Sequence, residues 1–365
     1  MIRIDEIYDN IFWPWLKNNL GGTRMFFCDP PGNTSPEALF NYGNDADKET
    51  DYVFFHDQEP VDADLYAPLF DSVKQRNGDL AQRDNVPGHV IVSEKGENVQ
   101  QLCDRYGWIP HYYFYHGWAC QDWFRGYDRT FLMPRARNRQ PTQTFMSPNR
   151  IVGGKRDHRV LFLYNIFKNQ LEHNHVSAPR ICPAEGVNIT SIAQKYNNVY
   201  QDIATVMDQA PLPQLFAGEA TQAMTSCWLT NFEEAADSLV YVPTETVYFG
   251  RRQHITEKTF KAIALEMPFV LVAPAGSLEY LRHYGFRTFA SVLDESYDEE
   301  TNDIRRIEKV TRLLKDLDNQ SVAERQQIHR ACLSTVEHNY NHFYRGNFST
   351  VLWQELTAML SEFIL

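Results

Sequence analysis

Short apolar runs broken by turn-forming residues fill the first half of the chain and predict strands. Arg24-Met-Phe-Phe-Cys28 runs into Asp-Pro-Pro-Gly, and Ser35-Pro36-Glu37 then opens a helix, with serine as its N-cap and proline at the first helical position. Tyr52-Val-Phe-Phe55 is a second buried strand, stopped by the polar cluster His56-Asp57-Gln58-Glu59-Pro60. His89-Val-Ile-Val-Ser93 reads as a third strand and Tyr112-Tyr-Phe-Tyr115 as a fourth. Strands separated by helical stretches predict parallel sheets with crossover helices, and ligands gather beyond the carboxyl ends of such strands. The cluster from His56 to Glu59 is therefore expected where chemistry occurs.

From Pro134 to Gly154 the chain is rich in Pro, Arg, Asn and Gly, which predicts an inter-domain connection with a new α/β unit beginning at Arg159. Val160-Leu-Phe-Leu-Tyr164 fits a strand or a helix equally well, because a short apolar run carries no period. Leu239-Val-Tyr-Val242 is a strand ending at Pro243-Thr-Glu245, and Thr256 caps a helix with Phe260, Ile263 and Ala264 on one face. Phe269-Val-Leu-Val-Ala273 then returns as a buried strand. Ile304, Ile307, Val310, Leu314 and Leu317 keep helical spacing, and Ser321-Val-Ala-Glu324 is a capping box for the helix after it.

A length of 365 residues exceeds what one core usually organises, so two domains are expected. Hydrophobic content of 43% with 22% charged residues belongs to a globular chain and excludes disorder. The acidic N-terminus does not resemble a signal peptide, and no run approaches the ~18 apolar residues of a membrane span. A cytoplasmic protein is expected. The six cysteines lie far apart with no C-x-x-C pair, which predicts reduced, mostly buried thiols. A net charge of -12 argues against a chain that coats itself on nucleic acid. Yet Arg125 to Arg159 holds nine Lys/Arg against Asp128 and Asp157, which reads either as a solvated linker or as a phosphate-facing cleft.

Candidate chemistry centres on Thr256-Glu257-Lys258 at a helix start. Unpaired amides and the positive helix end hold anions there, and a lysine in the first turn, unfavourable for the helix itself, would add a full charge against a diphosphate. The bland alternative leaves Glu257 to satisfy the dipole and Lys258 to point to water. Asp45-Ala-Asp47 and Asp62-Ala-Asp64 are short, common strings expected in surface loops, and the pairs His173/His175 and His338/His342 lack a third ligand at diagnostic spacing, so no metal is expected. Tyr112 to Tyr115, Trp118 and Trp123 form an aromatic belt that could stack on a sugar or a base, with core packing as the plainer role.

Taken in order, Glu245, Thr256-Glu257-Lys258-Thr-Phe-Lys-Ala, then Met267-Pro-Phe-Val-Leu-Val and Gly276 resemble the signature of the α1,3-fucosyltransferase family. Phe145-Met-Ser-Pro-Asn149-Arg150 with His158-Arg159-Val160 is similar to the family's S-N segment and its downstream arginine, and Gln58-Glu59-Pro60 to its E-S-P segment. Thr246-Val247 stands where the family has N-S, a proline shifts Asn149, and the glutamate and proline near residue 59 are transposed. His116-Gly-Trp118, Arg125-Gly-Tyr127-Asp128 and Gly285-Phe-Arg-Thr-Phe289 also look like proteins of tailed phages, which would put the chain in a host cytoplasm.

The resemblance implies the GT-B architecture, an α/β fold of two Rossmann-like domains facing a cleft, with C-terminal helices. Residues 1–145 would bind the acceptor and 146–340 the sugar nucleotide, with 341–365 a helix packing back on the N-terminal domain. It implies an inverting, metal-independent transfer from a nucleotide-diphosphate sugar, as co-substrate, to a glycan hydroxyl, with no other cofactor. In that scheme Glu59 or Asp57 is the base, and Asp57 could equally orient His56. Lys258, Arg150 and Arg159 neutralise the diphosphate, Glu245 or Glu257 holds ribose or sugar hydroxyls, and Asn149 and Thr256 complete the donor site. Two alternatives stay open: a phage enzyme that glycosylates hydroxymethylated bases in DNA, and a non-catalytic module that only binds a sugar or nucleotide. Donor base, sugar, linkage and oligomeric state are not legible.

Overall fold

A computed structural model of the chain describes residues 3–19, 24–27, 40–42, 52–62, 64, 67, 71, 88–217, 219 and 226–362. The helix expected from Ser35 and the string Asp45-Ala-Asp47 lie outside these residues. The chain divides into two compact units, one of Met1–Asp122 with Ser349–Leu365, the other of Trp123–Phe348. Both are mixed α/β with parallel sheets.

The first unit carries a five-stranded sheet in the order Phe40–Tyr42, Arg24–Phe27, Tyr52–His56, Gly88–Val92, Trp108–Tyr112. The first pair is antiparallel and the others are parallel, with Phe54 opposite Val90 and Phe55 opposite Ile91. Val53, Phe54 and Phe55 are all buried, as the continuous apolar run of a strand covered on both faces requires. Phe54 joins Val61, Val90, Val92, Val99, Leu102 and Cys103 in one core, against the helix Glu97–Tyr106. Phe55, pointing the other way, meets the rings of Tyr8 and Phe12 edge-on at 5.5 and 5.0 Å.

Tyr112 to Tyr115 is not a strand. The edge strand is Trp108–Tyr112, and a helix begins at Tyr115. Tyr113, Phe114, Tyr115 and Trp118 are buried, so the aromatic run fills space beyond the strand end. The chain's last segment returns to this helix: Phe114 donates its amide to Glu355, Ser349 donates to Gln121, and Trp118 packs edge-on against Trp353 at 4.8 Å.

The second unit is built on a parallel sheet of Asn174–Ser177, Gln143–Pro148 and Ser238–Tyr241, in that order. Its central strand therefore falls inside the stretch read as a connector. Phe269 and Val272 pair in parallel with Tyr241 and Thr244 through isolated bridges rather than a continuous ladder. Val160–Tyr164 belongs to the helix His158–Lys168, apolar nearly all round and packed against the helices Ile203–Gln209 and Asp303–Asp318. Ser321 and Glu324 form the expected reciprocal cap of the long helix Val322–Tyr344. No helix among the described residues is long and apolar enough to cross a membrane.

Candidate functional site

In the second unit the polar residues converge beyond the carboxyl ends of the parallel strands. The strand Ser238–Tyr241 runs on through Val242-Pro243 to Thr244 and Glu245, and both of these side chains are fully buried. The helix Glu257–Ala264 starts after Thr256, whose hydroxyl does not cap its own helix. Instead it donates to Glu245 Oε2 at 2.6 Å, while Thr259 Oγ1 donates to Glu245 Oε1 at 2.6 Å. A carboxylate from a different loop thus sits against the positive end of the helix, where the dipole favours it. Thr256 and Thr259 are three apart and share a helix face, which lets one carboxylate clasp both.

Lys258 lies over this clasp. Its Nζ donates to Thr246 Oγ1 and Thr256 Oγ1, each at 3.1 Å, and to Glu257 Oε1 at 2.8 Å, and its side chain is 25% exposed. The cation is held at the helix start by one carboxylate and two hydroxyls, and does not extend into solvent.

Asn149 follows the central strand and is fully buried. Its Nδ2 donates to Ser147, its Oδ1 accepts from Thr244 Oγ1 at 2.8 Å, and its backbone amide donates to Ser177 O at 2.9 Å, so one residue, through side chain and backbone, ties three strand ends together. Arg159 donates to the carbonyls of Ile151 (2.6 Å), Thr244 (2.7 Å) and Glu245 (3.3 Å). Burial, with Arg156 nearby, pulls its pKa down to about 9. His158 donates to Glu245 O at 3.0 Å and stacks on Tyr248 at 4.9 Å, and burial pushes its pKa down.

Sequence and structure assign these residues in two layers. Asn149, Arg159, Glu245 and Thr256 are buried and bonded to protein partners, Arg159 through its two terminal nitrogens, and they fix the loops. Arg150 and Lys258 are half-buried, and Glu257 is buried. Thr244, His158 and Thr259 belong to the same constellation but were not singled out. Only the T-x-x-T spacing at Thr256 and Thr259 could have signalled any of them.

In the first unit the strand Tyr52–His56 delivers Asp57 into an aromatic box. Asp57 Oδ2 accepts from Tyr8 at 2.7 Å and from Tyr113 at 2.6 Å, and the two hydroxyls stand 2.8 Å apart. Burial pushes the Asp57 carboxyl up to about 6, against the lowering effect of both tyrosines. Asp57 does not orient His56. That ring donates instead to Pro60 O at 3.2 Å, and burial pulls its pKa down to about 4. Glu59 is half-buried beside Gln58, which is exposed.

The basic stretch is partly committed to folding. Arg135 pairs with Glu266 and lies over the rings of Phe131 and Tyr340, and Arg139 is buried on the carbonyls of Glu266 and Ala235. Arg129, Arg137 and Lys155 are exposed. The helical pair His338 and His342 donates to the carbonyls of Gly285 and Tyr284, and His173 and His175 lie 3.4 Å from Asp318 and Asp237. Among the described residues no three His, Cys, Asp or Glu side chains are gathered closely enough to hold a metal ion. Among the described residues Cys103, Cys120, Cys182, Cys227 and Cys332 form no disulfide, and all but Cys227 are buried.

No protein-family description matches the chain, and no curated protein or solved structure does.

Proposed function

We propose that the protein is an inverting glycosyltransferase of the GT-B kind, moving a sugar from a nucleotide-diphosphate sugar to a glycan hydroxyl. The observation that carries this reading is Lys258, held at the start of the helix Glu257–Ala264 above the Glu245 clasp. A cation fixed at a helix start, beyond the carboxyl ends of parallel strands, is suited to a departing diphosphate, whose charge grows as the glycosidic bond breaks. Lys258 and Arg150 would contact the phosphates directly. Asn149, Arg159, Glu245 and Thr256 would act by holding the loops that present them, and Glu257 would orient Lys258 or accept a hydroxyl of the donor.

Two carboxylates, Asp57 and Glu59, stand beyond a strand end of the first unit and supply the candidates for deprotonating the acceptor. Asp57, with its carboxyl near 6, is matched to a proton-accepting role close to neutrality. The DNA-acceptor alternative draws its support from the exposed Arg129, Arg137 and Lys155. It is weakened by the internal use of Arg135, Arg139 and Arg159. Incubation with radiolabelled GDP-, UDP- and dTDP-sugars, against a glycan mixture and against hydroxymethylated duplex DNA at increasing salt, tests both. Transfer to glycan supports the main reading, salt-sensitive transfer to DNA supports the alternative, and binding without transfer to either removes the enzymatic reading.

A further inference from the structure

The three oxygens of Tyr8, Asp57 and Tyr113 form a closed triangle with sides of 2.6, 2.7 and 2.8 Å. Three such contacts need three hydrogens. With Asp57 ionised, the two tyrosine hydroxyls supply only two, and both point at the same carboxylate oxygen. One proton added to Asp57 completes a ring in which each oxygen donates once and accepts once. The triangle is thus built to take up one proton.

Its three members differ in access. Asp57 and Tyr113 are buried, whereas Tyr8 is half-buried. Tyr8 is also the first residue of a π-helical turn, Tyr8–Phe12, in which Trp13 N–H bonds Tyr8 O. Single π turns inside helices re-aim side chains and concentrate at functional sites. Phe12 and Phe55 wall the triangle, Phe12 lying edge-on to Tyr113 at 5.2 Å. Further titratable groups near it are Tyr115, from the helix that follows, and His56, adjacent on the strand and held neutral by burial.

We infer that Tyr8 is the catalytic residue through which Asp57 acts, receiving the proton of an alcohol acceptor on its hydroxyl oxygen while passing its own proton to Asp57. The inference rests on the glycosyl-transfer reading. In the balanced step the acceptor O–H bond breaks and a new O–H forms on Tyr8. The original Tyr8 proton moves to Asp57 Oδ2, the acceptor oxygen bonds the anomeric carbon, and the carbon–oxygen bond to the diphosphate breaks, its electron pair leaving with the nucleotide. Tyr113 is a positioning residue that holds Asp57 and closes the ring.

The test compares wild type, Tyr8→Phe and Tyr113→Phe in the full chain. The readouts are ¹³C NMR titration of aspartate carboxyls and the pH dependence of kcat for GDP-, UDP- and dTDP-sugars with glycerol as the acceptor. Asp57 in wild type is expected to titrate near 6, and near one to two pH units higher in either variant, since each removes a hydrogen bond to the carboxylate. Tyr8→Phe is expected to lower kcat at least 100-fold with donor KM unchanged, whereas Tyr113→Phe lowers kcat by less than Tyr8→Phe does and moves its pH limb upward. Tyr8→Phe retaining kcat within threefold overturns the inference and leaves the transferase reading standing. No transfer by wild type from any of the three donors removes that reading and the inference with it. An Asp57 that titrates below 5 in wild type overturns the proton-accepting triangle whatever the activity.

Discussion

Replacing Glu245 with alanine tests the clasp that holds the helix start. Glu245 and Thr259 are fully buried, and each carboxylate oxygen takes one hydroxyl at 2.6 Å. Hydrogen bonds to a charged group contribute about 1.5–3 kcal/mol each, so losing both is expected to cost roughly 3–6 kcal/mol. Urea unfolding followed by circular dichroism measures it, and the midpoint should fall with little change in slope. The alanine also leaves a cavity, which a double-mutant cycle with Thr259→Val cancels. The coupling expected from the cycle is about 1.5 kcal/mol or more. Two costs that add to within about 0.5 kcal/mol would show that the carboxylate and hydroxyl do not stabilise each other, and the clasp would be refuted.

Other perturbations probe other parts. The Asp57 carboxyl, raised from 3.8 to about 6, favours the protonated form in the folded state. Below pH 4 both states hold the proton and there is no penalty. Between about pH 4 and 6 the unfolded state releases it first, so stability falls, and above 6 the folded state keeps a buried charge worth roughly 3 kcal/mol at about 1.4 kcal/mol per pH unit. Asp57→Asn is neutral throughout, so its stability relative to wild type should rise by about that amount from pH 4 to 7. Taking the difference cancels the opposite trend of His56, and a difference constant with pH would refute the assignment. Gly285 has φ +89°, and a Cβ there would lie 2.8 Å from the His342 ring, which is itself bonded to Tyr284 O. Gly285→Ala is therefore expected to cost about 2–4 kcal/mol in thermal or urea unfolding, from left-handed strain and overpacking together, and a loss under 0.5 kcal/mol would contradict the packing described.

How far the fold could be read from the sequence depended on how each strand is buried. Tyr52–Phe55, His89–Ser93 and Leu239–Val242 were legible because strands covered on both faces are nearly pure apolar runs. Trp108–Tyr112 was not, since it is an edge strand containing Pro110, with Ile109 exposed, and neither its period nor its composition marks it. The strand Gln143–Pro148 was hidden by its polar members. Thr144 donates to Asp318 and Ser147 to the Val242 carbonyl, so buried hydroxyls stand where apolar residues would announce a strand. Val160–Tyr164 could not be assigned because a helix buried all round shows no 3.6-residue period.

The candidate sites divide the same way. Thr256, Glu257 and Lys258 are neighbours in sequence, so their place at a helix start followed from local pattern alone. That Glu245 would clasp Thr256 and Thr259, or that Tyr8, Asp57 and Tyr113 would meet, depends on chain folding across many residues and leaves no trace in any short window. Arg159 shows the limit most plainly. Its charge suggested a phosphate ligand, whereas its guanidinium is buried on three backbone carbonyls.

The central claim is a diphosphate grip at Lys258, and thermal unfolding of wild type and Lys258→Ala with GDP-, UDP-, dTDP- and CMP-sugars tests it most directly. At 100 times Kd a ligand that binds only the folded protein adds about 2.7 kcal/mol. The expected result is a raised Tm for wild type with at least one diphosphate sugar and no such rise for Lys258→Ala, each measured against the same protein without ligand. Equal stabilisation of the two proteins, or none of wild type by any of the four, would contradict it.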